Sequence, residues 1–228
     1  MSPIRALIFD VDGTLAETEE IHRAAFNHVF AADGLDWRWD VDLYRDLLRV
    51  TGGKERMRRY ADMIGANLDD ARVARLHAAK NRVYGETGAA GACALRPGVA
   101  GLVRSARARG LRLAIATTTS RANVDALLPA TFGVDGPALF EAIVCGEDVV
   151  AKKPAPDAYL LALDRLGLPA DACLAFEDSR NGLQSALAAG LSVVVAPSLY
   201  TAHERFDGAA RVLTDLRGFD PASPRAPD

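Results

Sequence analysis

The sequence predicts an α/β protein, a mainly parallel β-sheet with helices between its strands and a separate helical unit inserted after the first strand. Three observations carry this. Five short apolar runs are continuous instead of alternating, as expected of strands buried on both faces. Amphipathic stretches of helical period lie between most of them. The region from about Glu17 to Thr87 breaks the alternation, because it has helical periodicity and no strand run.

The strand candidates are Ile4–Phe9, Arg112–Ala116, Ala142–Cys145, Cys173–Phe176 and Ser192–Ala196. Between them the helices have legible ends. Val99–Arg109 follows Pro97-Gly98, and Ala122–Leu128 follows Ser120, a suitable N-cap. Ala158–Leu166 follows Pro156-Asp157, and Asn181–Ala189 follows Asp178-Ser179 and stops at Gly190. The insert reads as four helices, Glu19–Ala32, Val41–Val50, Lys54–Ile64 and Asp69–Tyr84, with Gly85–Gly91 as the return linker. The expected division is therefore residues 1–16 and 89–228 for the α/β core and 17–88 for the helical unit. A Pro- and Ala-rich tail is expected over 220–228.

Half of the 228 residues are hydrophobic, enough for a substantial core, and the net charge of −3 lacks the basic surplus of a nucleic-acid binder. No 18-residue apolar segment and no signal peptide are legible, so no membrane partner is expected and the location reads as cytoplasmic. Cys93, Cys145 and Cys173 form no metal-ligand spacing and read as reduced thiols. Oligomeric state is not legible, and a monomer is compatible with the sequence. Of 27 basic residues only four are lysines, Lys54, Lys80, Lys152 and Lys153. A chain that fills generic basic positions with arginine is expected to keep lysine where a compact ammonium is needed, at two of these four positions.

In an open parallel sheet, ligands bind beyond the carboxyl ends of the strands. Polar residues stand at those ends here: Asp10 and Asp12, then Thr117, Thr118 and Thr119, then Gly146-Glu147-Asp148, then Glu177 and Asp178, with Lys153 after the third strand. Four carboxylates near one point repel unless a hard divalent cation gathers them, and Mg2+ suits such a site with phosphate oxygens. Hydroxyls, backbone N–H groups near Gly13 and the Lys153 ammonium complete a pocket for a phosphoryl group.

These residues resemble the motifs of the haloacid dehalogenase superfamily. Asp10-Val-Asp-Gly-Thr14 resembles its first motif, Thr117 its second, Lys153 in Lys-Pro-Ala-Pro-Asp157 its third, and Glu177-Asp178 its acidic fourth. The order and strand-end placement of all four make the match specific. The resemblance implies a Rossmann-like core with an inserted α-helical C1 cap, and a Mg2+-dependent phosphatase. Asp10 would form an aspartyl phosphate. Asp12 would serve as general acid and base. The Asp10 and Asp178 carboxylates and the Asp12 backbone carbonyl would hold the cation, and Thr117 and Lys153 the phosphoryl group. For Glu177, direct ligation and a supporting or water-mediated role both stay open.

The run from Asp12 to His22 resembles the core-to-cap linker of the CbbY-type and β-phosphoglucomutase-type subgroup, which implies that Glu17 and Thr18 reach the substrate. His22 reads as a packed helix residue. Thr51, Gly52, Gly53 and Lys54 open a helix and suit an anion; an ordinary inter-helix turn is the other reading. Arg75, His77 and Lys80 are spaced to share a helix face, and Lys80 matches a lysine that related enzymes direct into the closed site. The cap is thus expected to bind a second anionic group on a small phosphosugar. By resemblance, that substrate is xylulose-1,5-bisphosphate, an inhibitory by-product of Rubisco. The alternatives are a β-phosphoglucomutase-like mutase and a less selective sugar monophosphate phosphatase.

Overall fold

A computed structural model of the chain describes residues 3–87 and 93–221. Six parallel strands form one sheet: β1 (Ala6–Phe9), β2 (Arg112–Ala116), β3 (Ala142–Val144), β4 (Cys173–Glu177), β5 (Ser192–Val195) and β6 (Arg211–Val212). Their order is β3-β2-β1-β4-β5-β6. β1 is central, and the chain leaves it first toward β2 and later returns to its other side as β4. This reversal opens a crevice at the carboxyl ends of β1 and β4. The two-residue β6 carries no apolar run and so leaves no strand signal in the sequence.

Alternation along the strands separates two hydrophobic layers. Leu7, Phe9, Leu113, Ile115 and Phe176 pack against α5 (Val99–Ala108) and α6 (Arg121–Phe132). Ala6, Ile8, Ala114, Ala175 and Val193 pack against α7 (Asp157–Leu166) and α8 (Arg180–Ala188). Phe9 and Phe176 stack at 4.8 Å between centroids and join β1 to β4 just below the crevice. Helix α6 runs four residues past its expected end at Leu128, through Pro129 to Phe132. The proline forfeits only the bond its missing N–H would have made to Asp125, and the helix continues.

The helical unit comprises α1 (Glu19–Ala32), α2 (Val41–Leu47), α3 (Gly53–Met63) and α4 (Asp70–Thr87). It has its own core around Phe26, Phe30, Trp37, Trp39, Tyr44 and Met57. Trp39 is fully buried and lies edge-on to Phe30 and Tyr60. Helix α4 continues through Gly85–Thr87, so those residues are helix and not linker; the rest of the expected linker, 88–91, lies outside the described residues. Asp220 pairs with Arg109 and Pro221 is buried, so the chain is held where the tail was expected to begin, and 222–228 lie outside the described residues. All three cysteines are free and buried. Among the described residues no helix is long and apolar enough to cross a membrane.

Candidate active site

Asp10 follows the last residue of β1, and its N–H donates to the carbonyl of Phe176 on β4. The nucleophile candidate therefore stands over the reversal point of the sheet. Lys153 donates 2.7 Å to Asp10 Oδ1 and 2.6 Å to Glu177 Oε1, with all three side chains nearly inaccessible. Tyr159 on α7 donates 2.5 Å to the same Glu177 oxygen, and its ring lies 4.9 Å beneath the Lys153 ammonium. The pair of carboxylates accounts for the retained charge of a fully buried lysine, whose pKa is raised despite the opposing effect of burial.

Asp10, Glu177 and Asp178 each offer an oxygen within 4.8 Å of the others. Burial raises the Asp10 pKa to about 7 against the pull of Lys153, and burial with the nearby Asp10 and Glu177 charges raises Asp178 well above the carboxylate range. Glu177 Oε2 is buried with no hydrogen-bond partner. The close approach is built into the backbone. Gly13 has φ +80°, and a Cβ there would lie 2.3 Å from Asp178 Oδ2; one on Gly182 would lie 1.9 Å from Glu177 Oε2. Converging buried carboxylates with an orphaned oxygen fit a hard divalent cation.

The Asp12 carboxylate lies outside that group. It accepts 2.6 Å from Thr18 Oγ1 and lies 3.0 Å from His22 Nε2. Burial alone would raise its pKa, but its contact with His22, the hydrogen bond from Thr18 and the nearby Lys80 together outweigh burial and lower it. The other ring nitrogen, Nδ1, is 2.5 Å from Lys80 Nζ. A carboxylate only accepts, so Nε2 carries the proton and Nδ1 receives one from Lys80. The His22 ring stacks on Tyr84 at 4.3 Å. His22 is thus packed, as the sequence suggested, and it is also the partner of Asp12, which the sequence reading missed.

A cavity of about 370 Å³ lies above these groups, between sheet and helical unit. Asp10, Asp12, Asp178, Thr117, Thr118, Thr119 and Lys153 line its floor. Thr51, Gly52, Gly53, Lys54 and Lys80 line it from the helical side. All four lysines of the chain reach it. Lys152 crosses the opening to Glu55 on α3 at 2.8 Å, and Asn181 donates 3.1 Å to the Arg49 carbonyl. His77 faces the same space, and burial with the charges of Lys80, Lys54 and Lys152 lowers its pKa to about 3.

Three expected substrate residues do not reach the cavity. Thr18 is fully buried and its hydroxyl is turned to Asp12. Glu17 lies 3.4 Å from Arg96 and is absent from the lining. Arg75 bonds Asp33 at 3.2 Å with a 62% exposed side chain; the phase of α4 turns it outward while His77 and Lys80 turn inward. The sequence reading missed Tyr159, Glu55 and Asn181 as well as His22. Each is an ordinary helix residue by pattern, with no signal beyond its position near a strand-end motif.

A family model for haloacid dehalogenase-like hydrolases matches residues 4–190. The chain belongs to that family and is an enzyme, a phosphoric monoester hydrolase. Within it the chain falls in the CbbY-type subgroup. It is 59% identical over 213 residues to Protein CbbY of Rhodobacter capsulatus, covering 93% of this chain and 94% of that one. It is similar to the crystal structure of CbbY from Rhodobacter sphaeroides in complex with phosphate, at TM-score 0.91 and 49% identity over 94% of this chain and 96% of that one. The likeness extends to a mutant of that protein in complex with xylulose-(1,5)bisphosphate, at TM-score 0.91 and 48% identity, with the same coverage of both chains.

Proposed function

We propose that the chain is a magnesium-dependent sugar-phosphate phosphatase that forms an aspartyl phosphate on Asp10 and takes xylulose-1,5-bisphosphate as its substrate. The observation that carries this reading is one cavity with two cationic ends. Lys153 stands beside Asp10 on the floor, and Lys54 stands at the Thr51–Gly53 turn on the helical side. A substrate with a phosphate at each end engages both. The likeness to a protein crystallised with that bisphosphate supports the choice of sugar.

The roles follow from the contacts. Asp10 is the attacking carboxylate, and Lys153 offsets its charge so that an anion can approach. Asp12, held apart from the acidic cluster by Thr18 and His22, takes a proton from the hydrolytic water as general base, and the carboxyl so protonated gives that proton to the leaving oxygen of the next turnover. Thr117 and Lys153 bind the transferring group, with Thr118 and Thr119 beside them. Asp10, Asp178 and the Asp12 carbonyl, with Glu177 in support, would hold Mg2+, which would supply charge neutralisation for the phosphoryl oxygens. Residues 17–88 act as a cap that closes over the substrate, and residues 1–16 and 89–228 as the catalytic core.

A substrate panel tests the reading. Phosphate release should have the highest kcat/KM for xylulose-1,5-bisphosphate, should stop with EDTA, and should be lost in Asp10→Asn. Equal turnover of simple pentose and hexose monophosphates rejects the bisphosphate assignment. Isomerised sugar phosphate without released phosphate rejects hydrolysis in favour of a mutase.

A further inference from the structure

The return connection from the helical unit to the sheet carries Arg96, whose side chain is 11% exposed. Its own N–H donates 2.8 Å to the Leu15 carbonyl, so it lies directly against the outgoing connection. Its guanidinium reaches three backbone carbonyls: Nη1 donates to Gly13 and Ala196, and Nη2 donates 2.7 Å to Pro197. Nε faces Glu17 at 3.4 Å. A lysine has the charge for one such site but lacks the planar fork that serves several acceptors at once.

The carbonyls it gathers belong to the two segments that enclose Asp178. Gly13 presses its Cα against that carboxylate, as its missing Cβ records, and the same Cβ would lie 3.1 Å from Ser198. The segment after β5 holds Asp178 from behind. Thr201 Oγ1 donates 2.7 Å to the Asp178 carbonyl and lies 3.2 Å from Oδ2, and the Ser198 N–H donates 2.9 Å to Thr201 Oγ1. Arg96 touches neither Asp178 nor the cavity. It ties the loop in front of that carboxylate to the loop behind it.

We propose that Arg96 is a positioning residue for the phosphatase reaction: it clamps the Gly13 loop and the Pro197–Thr201 segment around Asp178, and so sets the geometry of the cation-binding carboxylates from the hinge of the helical unit. The proposal rests on the reading of the site as a Mg2+-dependent phosphatase centre. It also gives Glu17 a different task from substrate binding, as counter-charge to the clamp. Partners that orient metal ligands without touching the metal commonly govern affinity and activity by about 10- to 100-fold.

The decisive variant is Arg96→Lys, which keeps a cation beside Glu17 but cannot span three carbonyls. Calorimetric titration of the apoprotein with Mg2+ should show affinity weakened about tenfold or more. Turnover should fall by a similar factor, with KM for the sugar phosphate within about threefold. In Arg96→Ala, millimolar guanidinium should recover part of both losses by refilling the space. A lower unfolding temperature with Mg2+ affinity and kcat within about twofold of the parent, measured well below unfolding, overturns the proposal. Failure of Arg96→Lys to fold overturns it too, because the residue then serves the fold itself. The two readings fail separately. A parent protein without phosphatase activity rejects the proposed function, whereas unchanged Mg2+ affinity in Arg96→Lys rejects only the clamp.

Discussion

His22 Nε2 lies 3.0 Å from Asp12 Oδ1, which couples the first helix of the insert to the proposed general acid and base. The contact explains why two aspartates one residue apart differ. The imidazole and a threonine beside Asp12 lower its pKa, while burial raises that of Asp10 in the absence of a cation. His22→Ala should therefore lower kcat by about 10- to 100-fold, in line with general acid–base contributions of about 10²–10⁴ of which orientation is one part. Rapid-quench assays that separate aspartyl-phosphate formation from its hydrolysis check this, and both steps should slow. A variant with parental rates in both steps removes His22 from the mechanism.

Lys80 supplies a pH dependence of stability. Burial lowers its pKa from 10.5 to about 7. Between those values the unfolded chain binds the proton and the folded chain does not, so stability rises with pH across that window. Below about pH 7 the full cost of the buried ammonium is present. Denaturant unfolding of the parent and Lys80→Met at pH 6.5, 7.5, 8.5 and 9.5 should show the parent gaining on the variant as pH rises. A difference that stays constant with pH contradicts this.

Metal removal acts with the opposite sign. Without a cation the Asp10 pKa is raised from 3.8 to about 7. The folded state then holds the extra proton between those values, and the metal-free protein loses stability as pH rises through them. Mg2+ binds the ionised form and should raise the unfolding temperature clearly at pH 7.5 and little at pH 5. The shift should vanish in Asp178→Asn. Equal shifts at both pH values would show that the acidic cluster is not the binding site.

Gly13→Ala should be among the most damaging single-methyl additions in the chain. It places a Cβ at φ +80° and 2.3 Å from Asp178 Oδ2. Backbone strain alone costs about 1–3 kcal/mol, and displacement of Asp178 should remove Mg2+ binding. Calorimetry on the folded variant is the check.

Lys54→Ala and Arg75→Ala separate the cavity from the surface. Lys54 lines the cavity and Arg75 pairs outward with Asp33. The first should raise KM for a sugar bisphosphate about tenfold and leave a monophosphate nearly unchanged. The second should change neither, and a strong effect of Arg75→Ala would contradict the side-chain placement.

The strand ends were legible because buried parallel strands are continuous apolar runs, and the residues just after them are forced toward one edge of the sheet. Asp10, Thr117, Lys153 and Asp178 could therefore be placed together from order alone. Lysine scarcity was informative for the same kind of reason: in an arginine-rich chain it singled out four positions that all face the cavity. Pairings across long separations were not legible. Nothing in the sequence joins Lys80 to His22 or Tyr159 to Glu177, since these depend on how helices pack. Arg75 failed because a spacing of five residues does not fix which side of α4 faces inward. Arg96 was hidden by the same arginine abundance that made lysine conspicuous.

The two connections to the helical unit run side by side at Ala16 and Leu95, only a few residues beyond Asp12. A hinge in that position works as a lever with its fulcrum at the reaction centre. If residues 17–88 close as the proposed cap, rotation about this hinge would displace groups in proportion to their distance from the axis. Thr18 and His22, which contact Asp12 close to the connections, would then move least. The Thr51–Lys54 turn across the cavity would move further. Such a rotation would open the selecting side to substrate while disturbing the proton-handling side least.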